Sequence, residues 1–153
     1  MVFSWENTLH TKKEKYVKRK KMFIKEIIDN LEMQSSEVKY YFDRLNYVFV
    51  FTMEGYDDED NEKLFLAVED SQRFIPLPTE HDINEYQIMQ NFTDCQKEKV
   101  QDILLRCLNG KGVFRRFKDR LFEMDMLDEW FTFKKEELKK IAMDWCEENG
   151  LEY

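Results

Sequence analysis

The stretch of this chain whose residue types best suit chemistry is Gly110-Lys111-Gly112-Val113-Phe114-Arg115-Arg116-Phe117-Lys118-Asp119-Arg120. Two glycines bracket a lysine, and five bases stand against one acid where a helix is expected to open. Backbone amides at a helix start, approached closely through glycine, can hold a phosphate with help from lysine and arginine. The same cations are locally misplaced. Lys111, Arg115 and Arg116 crowd the positive end of a helix dipole, which costs roughly 0.3–1 kcal/mol. A broken local rule calls for a compensating anion. Three sources present themselves: the chain's own acids, such as Asp57 to Asp60 or Glu147 and Glu148; a phosphate; or an acidic protein partner. The chain's own acids are the favoured source. The binding candidates are thus Lys111, Arg115, Arg116 and Arg120. The segment is not a P-loop, because Lys111 is followed by glycine rather than serine or threonine.

Other constellations are weaker. His10 and His81 are the near-neutral bases. Glu80-His81-Asp82 with Glu85 could gather a hard metal, but acids at a helix start are ordinarily solvated dipole partners. Asp57-x-Glu59-x-Asn61 is similar to a calcium loop, yet position 6 is not glycine and position 12 is Val68. No metal and no cofactor is therefore assigned. Cys95 and Ser71 lack an activating neighbourhood for nucleophilic work. Cys95, Cys107 and Cys146 are odd in number and form no C-x-x-C pair, which favours reduced thiols over disulfides or zinc. Trp130, Phe133 and Trp145 fall at helical spacings and read as core. With no catalytic constellation in view, the sequence leans against an enzyme.

The elements that must position these residues follow from periodicity. Phe23, Ile24, Ile27, Ile28 and Leu31 mark one helix face, which should stop near Gln34-Ser35-Ser36. Val38 to Phe42 and Tyr47 to Thr52 read as a β-hairpin across the loop Asp43-Arg44-Leu45-Asn46. The second strand is apolar on both faces, so it should be covered twice or lie at a partner interface. A short helix should begin after Asp58, whose side chain suits an N-cap. Arg73 to Pro78 reads as a third strand, at an edge because of its prolines. A helix preceded by Thr79 and Asp82 should carry Ile83, Tyr86, Met89 and Phe92. Asp94 could cap the next, whose Val100, Ile103, Leu104, Cys107 and Leu108 fit the amphipathic template. Gly110 should close it. The box then opens a helix to about Met124, with Phe114, Phe117, Leu121 and Met124 on the core face. Phe117→Ala should cost roughly 3–5 kcal/mol if Phe117 is buried. A last helix should carry Leu138, Ile141, Ala142 and Trp145 and end at Asn149-Gly150, with Leu151 placed for a Schellman contact. The expected fold is α+β: a small antiparallel sheet, hairpin 38–52 plus a strand near 73–77, packed by four or five helices, with an all-helical C-terminal half.

The 153 residues suit one domain, and the aromatic content of 15% excludes wholesale disorder. We expect a single α+β domain over 22–153 preceded by a basic extension over 1–21, which carries seven bases against two acids. The net charge of −8 excludes a uniformly basic nucleic-acid binder but hides local extremes. Between Glu54 and Asp70 eight acids face one base, so Asp57, Asp58, Glu59 and Asp60 form a candidate acidic partner surface. No secretory pattern and no apolar run long enough for a membrane span is present, so a soluble cytoplasmic protein is expected.

The string G-K-G-x-F-R-R-F-K-D resembles the signature of an uncharacterised family of small bacterial proteins. Ile75-Pro76-Leu77-Pro78, Glu85-Tyr86 with Ile88-Met89, Trp130-x-x-Phe133, Ala142-x-x-Trp145 and Asn149-Gly150-Leu151 fit the same family. The resemblance covers roughly 23–153 and is most specific from residue 73. It implies a bacterial or phage origin and a cytoplasmic location, and it implies no activity. The acidic body, the doubly apolar strand and the missing catalytic set favour a non-catalytic interaction or regulatory module that binds another macromolecule, a protein first. The alternative is nucleic-acid or phosphate binding through the basic helix start at 111–120. An acidic mimic of nucleic acid is a variant of the first reading, and a small metal-dependent hydrolase near His81 is a third. No membrane contact is expected, and the sequence leaves the oligomeric state open.

Overall fold

In the computed structural model residues 22–153 are described; the basic stretch 1–21 lies outside them. The fold is α+β. Its elements are α1 (Ile24–Glu32), β1 (Val38–Asp43), β2 (Val48–Met53), α2 (Glu59–Ala67), β3 (Phe74–Pro76), α3 (Glu80–Ile83), α4 (Glu85–Asp94), α5 (Glu98–Cys107), α6 (Val113–Glu123) and α7 (Leu127–Glu148). They form two compact units. One runs up to Asp82 and takes in Ile141–Tyr153; the other is Ile83–Lys140.

The first unit is built on an antiparallel sheet in the order β2-β1-β3. β1 is central because the hairpin turn returns the chain to one edge while Pro76, unable to donate to a ladder, holds β3 at the other. The register sets Phe42 opposite Phe49 and Ile75. Phe42 meets Phe49 at 5.3 Å, Tyr47 at 4.9 Å and the Trp145 ring edge-on at 6.2 Å. The Trp145 indole donates to the Pro76 carbonyl at 3.0 Å, so its polar edge is satisfied within an apolar environment. Ile27, Ile28 and Leu31 are the buried residues of α1, as their spacing requires. Phe23 departs from expectation: it is the extended N-cap and 55% exposed, because it precedes the helical turn that would rotate it inward. Gln34 holds the end of α1 to the sheet by donating to the Pro78 carbonyl at 2.8 Å and accepting from the Tyr40 amide at 3.0 Å.

The doubly apolar β2 is an edge strand with mostly half-buried side chains and an exposed Phe51. α7 closes as the sequence suggests. Leu151 N–H donates to the Cys146 carbonyl at 2.8 Å, Gly150 N–H donates to Glu147 at 3.2 Å, and Gly150 has φ +67°. These are the two bonds of a Schellman motif.

The second unit is helical. Phe92 meets Phe117, Trp130 and Phe133 edge-on, and Phe117 and Trp130 lie 5.2 Å apart. Trp130 and Phe117 are fully buried, so the aromatics are core rather than a stacking platform. Two helix boundaries differ from expectation. The helix expected from Ile83 through Phe92 breaks at Asn84, which takes φ +50° and caps α4 by accepting from the Gln87 amide at 3.2 Å. Asp94 is the last residue of α4, and Lys97 occupies the N-cap of α5.

Candidate functional site

The basic box sits at the α5–α6 corner. Gly110 (φ +83°) and Gly112 (φ +69°) supply the left-handed turns that bring the end of α5 round to the start of α6. The guanidinium of Arg116 turns back over both glycines. It donates to the carbonyls of Lys111 and Asn109 and, at 3.5 Å, to that of Cys107. The carbonyls at the C-terminal end of α5 carry partial negative charge and have no intrahelical partners. Arg116 therefore stands at the positive end of its own helix while serving the carbonyls of the connecting turn and, at 3.5 Å, the last carbonyl of α5. Tyr86 completes the cap by donating its hydroxyl to the Leu108 carbonyl at 2.9 Å.

The other cations of the box have side-chain partners of varying quality. Arg120 pairs with Glu123 at 2.7 Å. Lys118 reaches Glu85 at 3.4 Å, and Lys134 reaches the same carboxylate oxygen at 3.2 Å. Arg115, with a side chain 90% exposed, is only 3.8 Å from Asp119. Lys111 is exposed and has no ion-pair partner among the described residues. The four candidates thus share one corner, but only Arg115 and Lys111 present a weakly engaged charge to solvent.

Helical placement explains a further difference in α6. Phe117 and Leu121 are buried, whereas Phe114, expected in the core, is 46% exposed. At about 100° per residue it lies at the rim of the apolar arc, on the side toward Lys118 and Phe122. Phe122 is 73% exposed. Phe114, Lys118 and Phe122 therefore line an outward stripe beside Arg115. The sequence signal was available in the angular position of Phe122, well away from Phe117.

Asp57, Asp58, Glu59 and Asp60 precede and open α2 and are all exposed. Asp58 takes the N-cap position with extended backbone, but its side chain makes no capping bond. Asn61 does the anchoring: its amide oxygen accepts from Met53 N–H at 3.0 Å, and its amide nitrogen donates to the Met53 and Tyr56 carbonyls at 2.9 Å each. Glu59 pairs with Lys63 at 3.0 Å on the surface. α2 buries none of its residues, and it exposes Leu66 (72%) and Phe65 (39%).

A third cluster, missed from sequence, lies at the hairpin turn. Asp43 is 2% exposed at the end of β1. Its carboxylate accepts from the Leu45 amide at 2.9 Å and from both Nε and Nη2 of Arg73 at 2.9 Å. Burial pushes this carboxyl up, but the Arg73 hydrogen bonds, the Leu45 and Asn46 amides and the arginine charge together prevail and hold it below the usual carboxylate range. Such a group is an anchor for the turn and a poor proton donor. A cleft of about 460 Å³ beside it is lined by Arg44, Leu45, Asp70, Gln72 and Arg73. An acid ending an apolar strand just before a turn was the signal for this pair.

Of the residues weighed for metal chemistry around His81, Asp82 and Glu85 are engaged locally, while Glu80 and His81 are exposed. Asp82 accepts from the Thr79 amide at 2.9 Å and hydroxyl at 2.8 Å, a reciprocal cap with the Asp82 amide returning to Thr79. Those Thr79 bonds hold its carboxyl below the ordinary range. Glu85 serves Lys118 and Lys134. Cys95 is exposed, Cys107 intermediate and Cys146 buried, all as free thiols. No helix among the described residues is long and apolar enough to cross a membrane.

The chain is similar to the UPF0158 protein PA5073 of Pseudomonas aeruginosa (strain PAO1), with 28% identity over 79 residues. That match takes in 50% of each protein, so the chain spans about half the length of the curated relative it matches. No solved structure matches it. The model of the uncharacterised protein family UPF0158 matches residues 19–153, and the chain belongs to that family.

Proposed function

We propose that this protein is a non-catalytic interaction module that binds another protein through the outward face of α2 and the acids that open it. The observation that carries this reading is a nine-residue helix without one buried side chain. Isolated helices of that length are marginal in water. α2 is tethered by Asn61, and its outward residues contribute little to the fold. A connector between β2 and β3 has no need of Leu66 and Phe65 in solvent. A surface that meets a partner does. The segment from Glu54 to Asp70 selects that partner's chemistry: a basic segment offering an apolar side chain. Opposite charge steers encounter and suppresses wrong partners, while the apolar contact supplies dwell time.

The nucleic-acid alternative has less support. Arg116 is committed to carbonyls, Arg120 to Glu123 and Lys118 to Glu85, which leaves Lys111 and Arg115 to meet phosphates. The test is affinity purification of the full chain and of a variant with Asp57, Asp58, Glu59 and Asp60 reversed to lysine. A stoichiometric protein partner should be retained by the first and lost by the second. Capture that ignores the reversal would overturn the α2 assignment.

A further inference from the structure

We propose that the partner of the α2 face is a second copy of this chain, with α2 of one copy docked on the outward stripe of α6 in the next; this rests on the reading of α2 as a protein-binding surface. The two faces are opposite in charge and alike in apolar content. On α2, Leu66 stands one turn from Glu62 and two from Glu59, with Phe65 on the flank. On α6, Phe114 and Phe122 stand two turns apart, with Lys118 between them and the 90% exposed Arg115 alongside. Lys111 adds an exposed cation at the start of that helix. A single exposed phenylalanine is ordinary. Two on one stripe, flanked by cations, on a chain that also exposes leucine and phenylalanine among acids, form a matched pair.

Charge decides the geometry of association. Docking α2 on α2 sets acid against acid, and α6 on α6 sets base against base, so both symmetric pairings are disfavoured. The pairing that charge permits is α2 of one copy on α6 of another; it closes as a dimer where the two contacts form reciprocally, and otherwise it leaves one unused face of each kind at the ends of the assembly. With two or three apolar side chains on each face, the contact belongs to the small, weak class.

The test uses the full chain in analytical ultracentrifugation. Across roughly 10–500 µM, the range in which a weak contact becomes populated, the weight-average mass should rise at low salt to the dimer or beyond. The rise should shrink several-fold in about 0.5 M salt, where the Debye length falls to a few ångström. Leu66→Arg and Phe122→Glu, both at exposed positions, should each remain monomeric with an unchanged circular dichroism spectrum. Mixed in equal amounts they should form a complex of twice the monomer mass that grows no further, because the intact α2 of one meets the intact α6 of the other. A wild type that stays monomeric throughout, variants that assemble like it, or a mixture that stays monomeric would each overturn the proposal. Should the chain be monomeric yet capture a different protein in a manner lost on reversing Asp57 to Asp60, the binding reading of α2 stands and self-assembly falls.

Discussion

Replacing Arg116 by alanine separates a structural role for the basic box from a ligand-binding one. The side chain donates to three carbonyls, those of Asn109 and Lys111 in the turn after α5 and, at 3.5 Å, that of Cys107 at the end of the helix. Hydrogen bonds from a charged donor contribute about 1.5–3 kcal/mol when shielded. Arg116 is exposed, so solvent competes for each of them, and the bent geometry over Gly110 and Gly112 restricts it at some entropic cost. Its interaction with the end of the α5 dipole adds about 0.3–1 kcal/mol. The net loss on Arg116→Ala should be about 1–2 kcal/mol. Relief of unfavourable charge at the start of α6 would offset a few tenths of that. Arg116→Lys should recover the dipole contribution and at most one hydrogen bond, because a single ammonium cannot span carbonyls on both sides of the turn. Chemical denaturation followed by circular dichroism gives both numbers, as a lower midpoint at unchanged slope. The order wild type, Lys, Ala in stability, with no change in partner capture, is the expected result. An alanine variant within about 0.3 kcal/mol of wild type that nevertheless loses binding of a phosphate-bearing ligand would refute the capping role.

Asp43→Asn should cost about 2–3 kcal/mol at pH 7 by leaving the half-exposed Arg73 without its carboxylate. Because the Asp43 carboxyl titrates below its unfolded value, its contribution is complete above the unfolded range and disappears as pH falls through the folded one. The gap between wild type and variant, read by urea titration at several pH values, should therefore narrow progressively as pH falls below the ordinary carboxylate range; a gap independent of pH would contradict the pairing. Burial, and secondarily Glu147, push the Cys146 thiol up to about 11, so an alkylating reagent at pH 8 should spare it in the folded protein and label it once denatured, while exposed Cys95 reacts at once. Mass spectrometry of the folded protein reads this directly, and early labelling of Cys146 would count against the packing. Gly150→Ala should lower stability by about 1 kcal/mol in thermal melts, since the Schellman position at φ +67° penalises a Cβ; an unchanged melting temperature would show that this end of α7 frays.

The parts of this fold that were legible in the sequence are those set by a period or a punctuating residue. Ile27, Ile28 and Leu31 repeat at helical spacing, Pro76 marks an edge strand, and Gly150-Leu151 writes its own helix terminator. The parts that were hidden depend on backbone groups, which leave no mark in a list of side chains. Formal charge pointed from the crowded cations at 111–116 toward distant acids, yet the offsetting charge for Arg116 is a set of peptide carbonyls in the turn between α5 and α6. Asn84 interrupts an apolar period that runs unbroken through it, because asparagine can take a left-handed turn without the glycine or proline that normally announces one. Phe114 sits at the rim of the apolar arc, where a step of about 100° separates core from surface and the neighbouring elements decide which. Net charge misled for the same reason that the box did: it averages over surfaces that act separately. Once Arg116, Arg120 and Lys118 are assigned to partners within the fold, the box leaves Lys111 and Arg115 weakly engaged at a helix with exposed phenylalanines, and the acids of α2 stand exposed on a helix with exposed Leu66. On the proposed reading, specificity is carried by those two helix faces, each of which sets charge beside a solvent-facing apolar side chain.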